Sequence, residues 1–453
     1  MTRPTAVALL LAVLGTLLTT SVSGAQPAPR ELTLDEVIDL ALSKNAGLRA
    51  AEREVDAAAK GHEAARGRLW PFADIFGDWQ YSGPEEEDKT RLLANIGRMP
   101  KLGPTLADNV NGRREFDHNL YAAGLRITYP LYVGGRIVAE IEANRLLTLL
   151  ARERVAQTGD ELIFNLSSTF HNVLRLRENV KATEANVKAL EEAQKNLKSL
   201  VEVGRLPRAD LFKVNTRLAA VRQELIKVRN EVELAHAVLK TLMGLEVTEP
   251  LGVKGDLSRE PFPLDLSADL TEATRRRPEL QARRRAVEVQ EQQVRIAKGA
   301  RLPSVSLRTQ YVGGAGESDF GQPLGDFVAG VNISIPVFTG GLLTARIAQE
   351  EARLARAREK LEKIRLDVGL DVQQAHLAVT EASERITAAQ AALEDAREAL
   401  RVEQLKTQVG RGIVEDLLDA QAAELQAETN YTRALADYNT ALVARKKAIG
   451  RVR

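Results

Sequence analysis

Two hexapeptides, Pro130-Leu131-Tyr132-Val133-Gly134-Gly135 and Pro336-Val337-Phe338-Thr339-Gly340-Gly341, stand 206 residues apart and share a proline, an aromatic and paired glycines. The same spacing relates Gly204-Arg205 to Gly410-Arg411, Asp210-Leu211 to Asp416-Leu417, and Gly244 to Gly450. Upstream a spacing of 232 holds instead: Leu34 matches Leu266, Ala41 matches Ala273, Leu48 matches Leu280, Gly67 matches Gly299 and Pro71 matches Pro303. Pro71 and Pro130 lie 59 apart where Pro303 and Pro336 lie 33 apart, and the 26 extra residues equal the difference between the two spacings. The chain is therefore a tandem repeat, residues 26–255 and 256–453, with a longer loop in the first half.

Each repeat reads as helix, two strands, long helix, tip and second helix. The first places helices at 33–67, 135–203 and 210–244, strands at 69–82 and 119–132, and a tip at 204–210. The second places helices at 268–299, 341–409 and 416–450, strands at 303–312 and 326–338, and a tip at 410–416. Thr33 with Glu36 three residues on forms a capping-box signature. Between Gly135 and Gly204 there is no proline and a single glycine, Gly159, and Val173, Val180 and Val187 fall seven apart. Ile386, Leu393 and Leu400 repeat that spacing in the second half. At 1.5 Å per residue each long arm would reach roughly 100 Å, a length that calls for coiled-coil packing. Two shorter helices of about 50 Å each, end to end, would match one long arm.

The four strand segments alternate. Tyr121, Ala123, Leu125, Ile127 and Tyr129 form one face of their strand, opposite Ala122, Gly124, Arg126 and Thr128. Such runs suit tilted membrane strands with aromatic ends. A half-buried soluble sheet alternates equally well, but this chain offers no second apolar layer to cover one. Four strands cannot close a barrel, and open edges in lipid would leave backbone groups unsatisfied. Several copies, of a number the strand count leaves open, must then share one barrel.

Residues 1–25 read as a signal peptide: Arg3, an apolar run from Ala6 to Leu18, and small residues at Ser23-Gly24-Ala25. The run is shorter than the roughly 20 residues of a membrane anchor. The chain has no cysteine, which removes disulfides, thiolate metal sites and a lipid-attachment residue. A formal net charge of +1 gives no basic field for nucleic acid. Low aromatic content, 4%, favours long helices over a compact enzyme. His62, His118, His171, His236 and His376 are scattered without metal-ligand spacing, and no nucleophile elbow, P-loop or dinucleotide fingerprint occurs. Gly134-Gly135 and Gly340-Gly341 read as hinges rather than phosphate loops. No enzyme activity, cofactor or metal is expected. The competing reading is a periplasmic coiled-coil adaptor or structural spacer, which would share the long helices but would not need the duplicated strands.

The duplicated plan, the proline-aromatic-glycine-glycine entries to both long helices, and the tips Val203-Gly204-Arg205 and Val409-Gly410-Arg411 resemble the TolC-like outer-membrane factor family over nearly the whole mature sequence. The resemblance implies a mainly α fold with a membrane β-barrel part: a homotrimer with a shared twelve-stranded β-barrel and a trimeric α-barrel of long helices. It further implies outer-membrane lipid around the barrel and a large periplasmic extension. The trimer would be the exit duct of a tripartite efflux or type I secretion system. Its partners would be a periplasmic adaptor (membrane fusion) protein and an inner-membrane pump of RND or ABC type.

By the same resemblance, Asp416 and Asp419 match acids that ring the periplasmic gate, and Asp210 matches an acid that helps hold it closed. The basic residue expected four before the first gate acid is Gly412 here, leaving Arg411 as the adjacent base. Gly204, Arg205, Gly410 and Arg411 mark the adaptor-contact tips. Each has an ordinary alternative: carboxylates favour a helix N-terminus, and arginines a helix C-terminus.

Overall fold

The structure, a computed structural model, describes residues 30–81, 119–203, 206–259, 263–316, 324–409 and 411–452. The expected signal peptide, His118 and the tip residues Gly204, Arg205 and Gly410 lie outside the described residues.

The chain opens with β1 (Arg30–Leu32), α1 (Leu34–Lys44) and α2 (Ala46–Gly67). The capping box is formed: the Thr33 amide donates to Glu36 Oε2 at 2.8 Å, and the Glu36 amide reaches back to Thr33 Oγ1. One helix is expected over 33–67, but the chain breaks at Asn45, whose backbone is extended (φ −64°, ψ 123°). The break is stable because Asn45 Oδ1 caps the next helix, accepting from the Leu48 amide at 2.9 Å, while Asn45 Nδ2 donates to the Leu242 carbonyl at 2.8 Å.

β2 (Phe72–Tyr81) and β3 (Asn119–Val133) lead through left-handed glycines at Gly134 and Gly135 into α3 (Arg136–Glu202). α4 (Arg208–Met243) and β4 (Leu251–Val253) complete the first half. The second half repeats the order: α5 (Leu266–Arg276), α6 (Pro278–Gly299), β5 (Ser304–Gly316), β6 (Leu324–Ser334), α7 (Leu342–Gln408) and α8 (Val414–Ala448). The helix expected over 268–299 is also two, because Pro278 holds Arg277 in extended backbone (ψ 120°). Expected helix starts at 210 and 416 move to Arg208 and Val414, since Pro207 and Ile413 occupy the N-cap positions.

α3 and α7 are each 67 residues long, about 100 Å. α2 and α4 pack along α3, and α6 and α8 lie between α3 and α7. α3 thus meets four shorter helices, α2, α4, α6 and α8, and α7 shares the last two. The core is a seam: Val187, Leu190 and Leu197 of α3 pack with Val214 and Leu218 of α4. A wider cluster forms at the α1–α4 junction around Val37, Leu166, Val173, Leu239 and Met243. There β1 and β4 pair in parallel, burying Leu32 and Val253. Three-residue strands have no alternation to read, so no sequence pattern marks this pair.

The main sheet is antiparallel in the order β2-β3-β5-β6. Its two hairpins share one register: Phe72 opposes Thr128, and Ser304 opposes Ser334, the same pair shifted by 232 and 206. The strand expected over 69–82 starts at Phe72, because residues after Gly67 form a turn. The strand expected over 326–338 ends at Ser334, since among the described residues no strand pairs with its last residues. One sheet face carries Ile75, Leu307, Tyr311, Phe327 and Val331, and Ile75 is 85% exposed. No layer of the chain covers it among the described residues. No described helix is long and apolar enough to cross a membrane.

Candidate functional site at the helical tips

At the end of the helices remote from the sheet, α3 turns into α4 and α7 into α8. Pro207 fixes the entry to α4, and Asp210 sits in its first turn, where a carboxylate meets the positive end of the helix. Asp210 Oδ1 lies 3.7 Å from Lys213 Nζ, and the same amine donates to Glu415 Oε2 at 3.0 Å. Lys213 thus joins the first tip to the second. The Glu415 carboxylate beside it holds the amine above its ordinary pKa, with Asp210 adding to the effect.

At the second tip the chain folds back onto the end of α7: the Arg411 amide donates to the Lys406 carbonyl at 2.9 Å. Gly412 packs so closely that a Cβ would sit 2.5 Å from Thr407 Oγ1 and 2.6 Å from its amide nitrogen. Thr407 is itself tied to the Glu403 carbonyl. No side chain, basic or otherwise, fits at 412 without moving this turn. The Arg411 side chain is exposed and has no ion pair among the described residues, so within one chain it does not take that place. The cross-tip cation is Lys213.

Asp416 and Asp419 are exposed on α8, whereas Val414, Leu417, Leu418 and Gln421 turn into the chain. Three residues apart, the two carboxylates share the face away from the α3–α4 core. Neither has an ion pair among the described residues. Lys406, raised in pKa chiefly by its 2.6 Å bond to Glu403, also feels Asp416. Ile413 offers no side-chain cap, so Glu415 and Asp416 are the charges that meet the amino end of α8.

Both tips are also apolar. Val203, Val409 and Ile413 stand exposed at the turns, where polar residues usually collect, and Phe212 is exposed near the start of α4. Among the described residues no cluster of His, Cys, Asp or Glu could hold a metal ion.

Paired helices about 100 Å long, carrying acids at one end and an apolar-faced sheet at the other, define the class as a membrane-anchored duct subunit. The chain belongs to the outer membrane efflux protein family, whose model matches residues 37–245 and 270–451. It is 25% identical over 366 residues to the outer membrane protein TolC of Vibrio cholerae serotype O1, covering 78% of this chain and 82% of that protein. With the TolC protein of Escherichia coli K12 it shares 22% identity over 450 residues, covering 95% and 84%. The solved CmeC outer membrane channel of Campylobacter jejuni has the same fold at TM-score 0.78 and 18% identity, covering 92% of this chain and 86% of that one. The chain is an outer-membrane protein with a periplasmic helical extension.

Proposed function

We propose that three copies of this chain close one barrel and one tunnel, forming the exit duct of a tripartite efflux or type I secretion system. The observation that carries this reading is the four-stranded sheet with one apolar face and two unpaired edges. A lone sheet of this kind in lipid would leave edge N–H and C=O groups unsatisfied, at several kcal/mol each. The tips, farthest from the sheet, are the surface offered to a periplasmic adaptor (membrane fusion) protein. Exposed Val203, Phe212 and Val409 suit an apolar contact there. An inner-membrane pump of RND or ABC type would supply the energy, the duct itself being passive. The periplasmic spacer reading leaves the apolar sheet face without a purpose.

Detergent-extracted protein is expected to sediment as a trimer and to remain with outer-membrane sheets after salt washing. A stable, folded, detergent-free monomer would sink the reading.

The gate reading rests on Asp416 and Asp419. If three copies point both inward, six carboxylates crowd one opening. At about 6 Å two such charges repel by roughly 0.7 kcal/mol in water, and by more in a narrow throat. Links such as Lys213–Glu415 would then oppose opening. Planar-bilayer recordings should show cation preference and block by trivalent cations added on the periplasmic side. Asp416→Ala with Asp419→Ala should abolish that block and weaken the preference. Unchanged block in the double variant would leave both residues as helix-end charges.

A further inference from the structure

Three arginines converge on one carboxylate where α5 ends against the last turn of α8. Arg275 Nη2 donates to Glu272 Oε2 at 3.0 Å, Arg451 Nε donates to Glu272 Oε1 at 2.9 Å, and Arg276 Nε pairs with that same oxygen. The backbone sets this meeting. Gly450, at φ 73°, closes α8 so tightly on α5 that a Cβ there would sit 3.1 Å from the Arg276 carbonyl carbon. Beside the carboxylate lies a cavity of about 330 Å³. Glu272, Lys446 and Arg451 line it together with Asp269, Arg445 and Ile449.

Charge there is unbalanced. The Asp269–Arg445 pair is buried and cancels itself. Arg275, Arg276, Arg451 and Lys446 are left against Glu272, and among the described residues no other carboxylate pairs with any of these four cations. Stability does not account for the cluster. The Arg275, Arg276 and Arg451 side chains are 68%, 47% and 53% exposed. Ion pairs so exposed contribute little, and the crowded like charges repel one another.

The first repeat shows what the same backbone does without this chemistry. By the repeat spacings Glu272 matches Leu40, Arg451 matches Leu245 and Arg275 matches Ser43. Gly244 closes α4 on α1 as Gly450 closes α8 on α5. Leu40 and Leu245 pack against the apolar cluster that includes Leu239 and Met243. Lys240, the counterpart of Lys446, donates to the Val247 carbonyl at 3.0 Å, whereas the Lys446 amine has no partner among the described residues. Packing leucines are thus exchanged for surplus cations beside a space.

We propose that this cavity between α5 and α8 binds a small phosphoryl anion, a phosphate ester or pyrophosphate. Its volume lies at the low end of the roughly 300–1,000 Å³ of ligand pockets, which suits a small ligand. The cations come from two elements, α5 on one side and the end of α8 on the other, and so surround a point. A phosphoryl group presents three acceptor oxygens and a charge near −2 to such an arrangement, and guanidinium forks pair with it through parallel hydrogen bonds. Lipid phosphates are out of reach, because α6 places 22 residues, about 33 Å, between Arg277 and the sheet. The bound anion takes donors from Arg276, Arg451 and Lys446 and bridges α5 to α8, where the first repeat relies on Leu40 and Leu245. The site is complete within one chain and does not depend on the shared barrel.

Isothermal titration of the detergent-solubilised protein with pyrophosphate, at ionic strength held constant with chloride, should show one saturable site per chain. Citrate should bind more weakly. Arg276→Gln with Arg451→Leu should weaken pyrophosphate binding by about tenfold or more, the usual effect of losing charge-assisted hydrogen bonds. Pyrophosphate should raise the unfolding temperature of the parent and leave that of this double variant unmoved. Glu272→Gln keeps an acceptor for the arginines and removes the competing charge, so it should tighten binding. Arg283→Gln with Arg284→Gln, at exposed positions of α6 outside the cavity lining, should bind as the parent does. No saturable binding in either the parent or Glu272→Gln, tighter binding of citrate, or an equal loss in the α6 variant would overturn the assignment.

Discussion

Replacing Arg445 with alanine is expected to destabilise the protein by about 3–5 kcal/mol, and Asp269→Ala by a similar amount, because each leaves a buried charge without its partner. The two side chains are each 7% exposed, and the guanidinium grips the carboxylate with two bonds of 2.7 Å. They join the start of α5 to the last turns of α8. The repeat spacings show what stands at the equivalent places in the first half: Val37 for Asp269 and Leu239 for Arg445. Both are fully buried and belong to one apolar cluster. The same backbone arrangement is therefore built once with an aliphatic pair and once with an ion pair.

That comparison gives the second arm of the experiment. Asp269→Val with Arg445→Leu installs the first repeat's solution in the second, and should restore stability to near the parent value. Replacing a buried ion pair by apolar residues of suitable shape is often neutral or stabilising. Urea unfolding followed by circular dichroism, in one detergent at one protein concentration, measures the cycle. A double variant as unstable as the sum of the singles would mean that the surroundings of Asp269 and Arg445, not the pair, carry the effect.

The spacings that expose this pair also explain how much of the fold is legible in the sequence. Residues that dictate backbone shape are carried from one repeat to the other. Thr33 and Asp265 both cap helices. Gly244 and Gly450 both take φ near 74° and crowd against Lys44 and Arg276, which are themselves equivalent. Prolines, glycines and apolar periodicity report local constraints, so the order of helices and strands follows from them. The break at Arg277 is marked in the same way by Pro278, but the break at Asn45 is not, since an apolar stripe continues through it and its kink is held by a bond to a distant residue. For Asn45 that residue is Leu242, 197 positions away.

The site is less legible for the same reason. Asp210, Asp416 and Asp419 can be picked out by matching the tips, yet nothing local marks Lys213 as the cation between them. Its partner Glu415 is 202 residues distant, and only the meeting of α4 and α8 brings them to 3.0 Å. Gly412 reads in sequence as a missing base. In three dimensions it is a position where Thr407 leaves no room for a side chain.

Acidification should weaken the fold through His171, with an effect second only to that of the buried ion pair. His171 lies on α3, 8% exposed, beside the Phe170 ring, with its Nδ1 buried and lacking a hydrogen-bond partner among the described residues. Burial alone lowers its pKa from 6.5 to about 4, and no nearby carboxylate offsets the effect. The folded protein therefore keeps a neutral imidazole at a pH where the unfolded chain has already bound a proton. Stability is complete above pH 6.5 and falls as the pH drops toward 4, because the unfolded state takes up the extra proton over that window. The full difference corresponds to about 3 kcal/mol per chain. Burial also lowers His236, which adds to the loss in the same direction. Carboxylates titrate nearby, so the informative quantity is the difference between the parent and His171→Leu, which places there the residue found at the equivalent position, Leu377. Thermal unfolding of detergent-solubilised protein at pH 7.5 and 4.5 should show a markedly smaller acid shift in His171→Leu. Equal shifts in the two proteins would mean that the imidazole is solvated or partnered in the assembled duct.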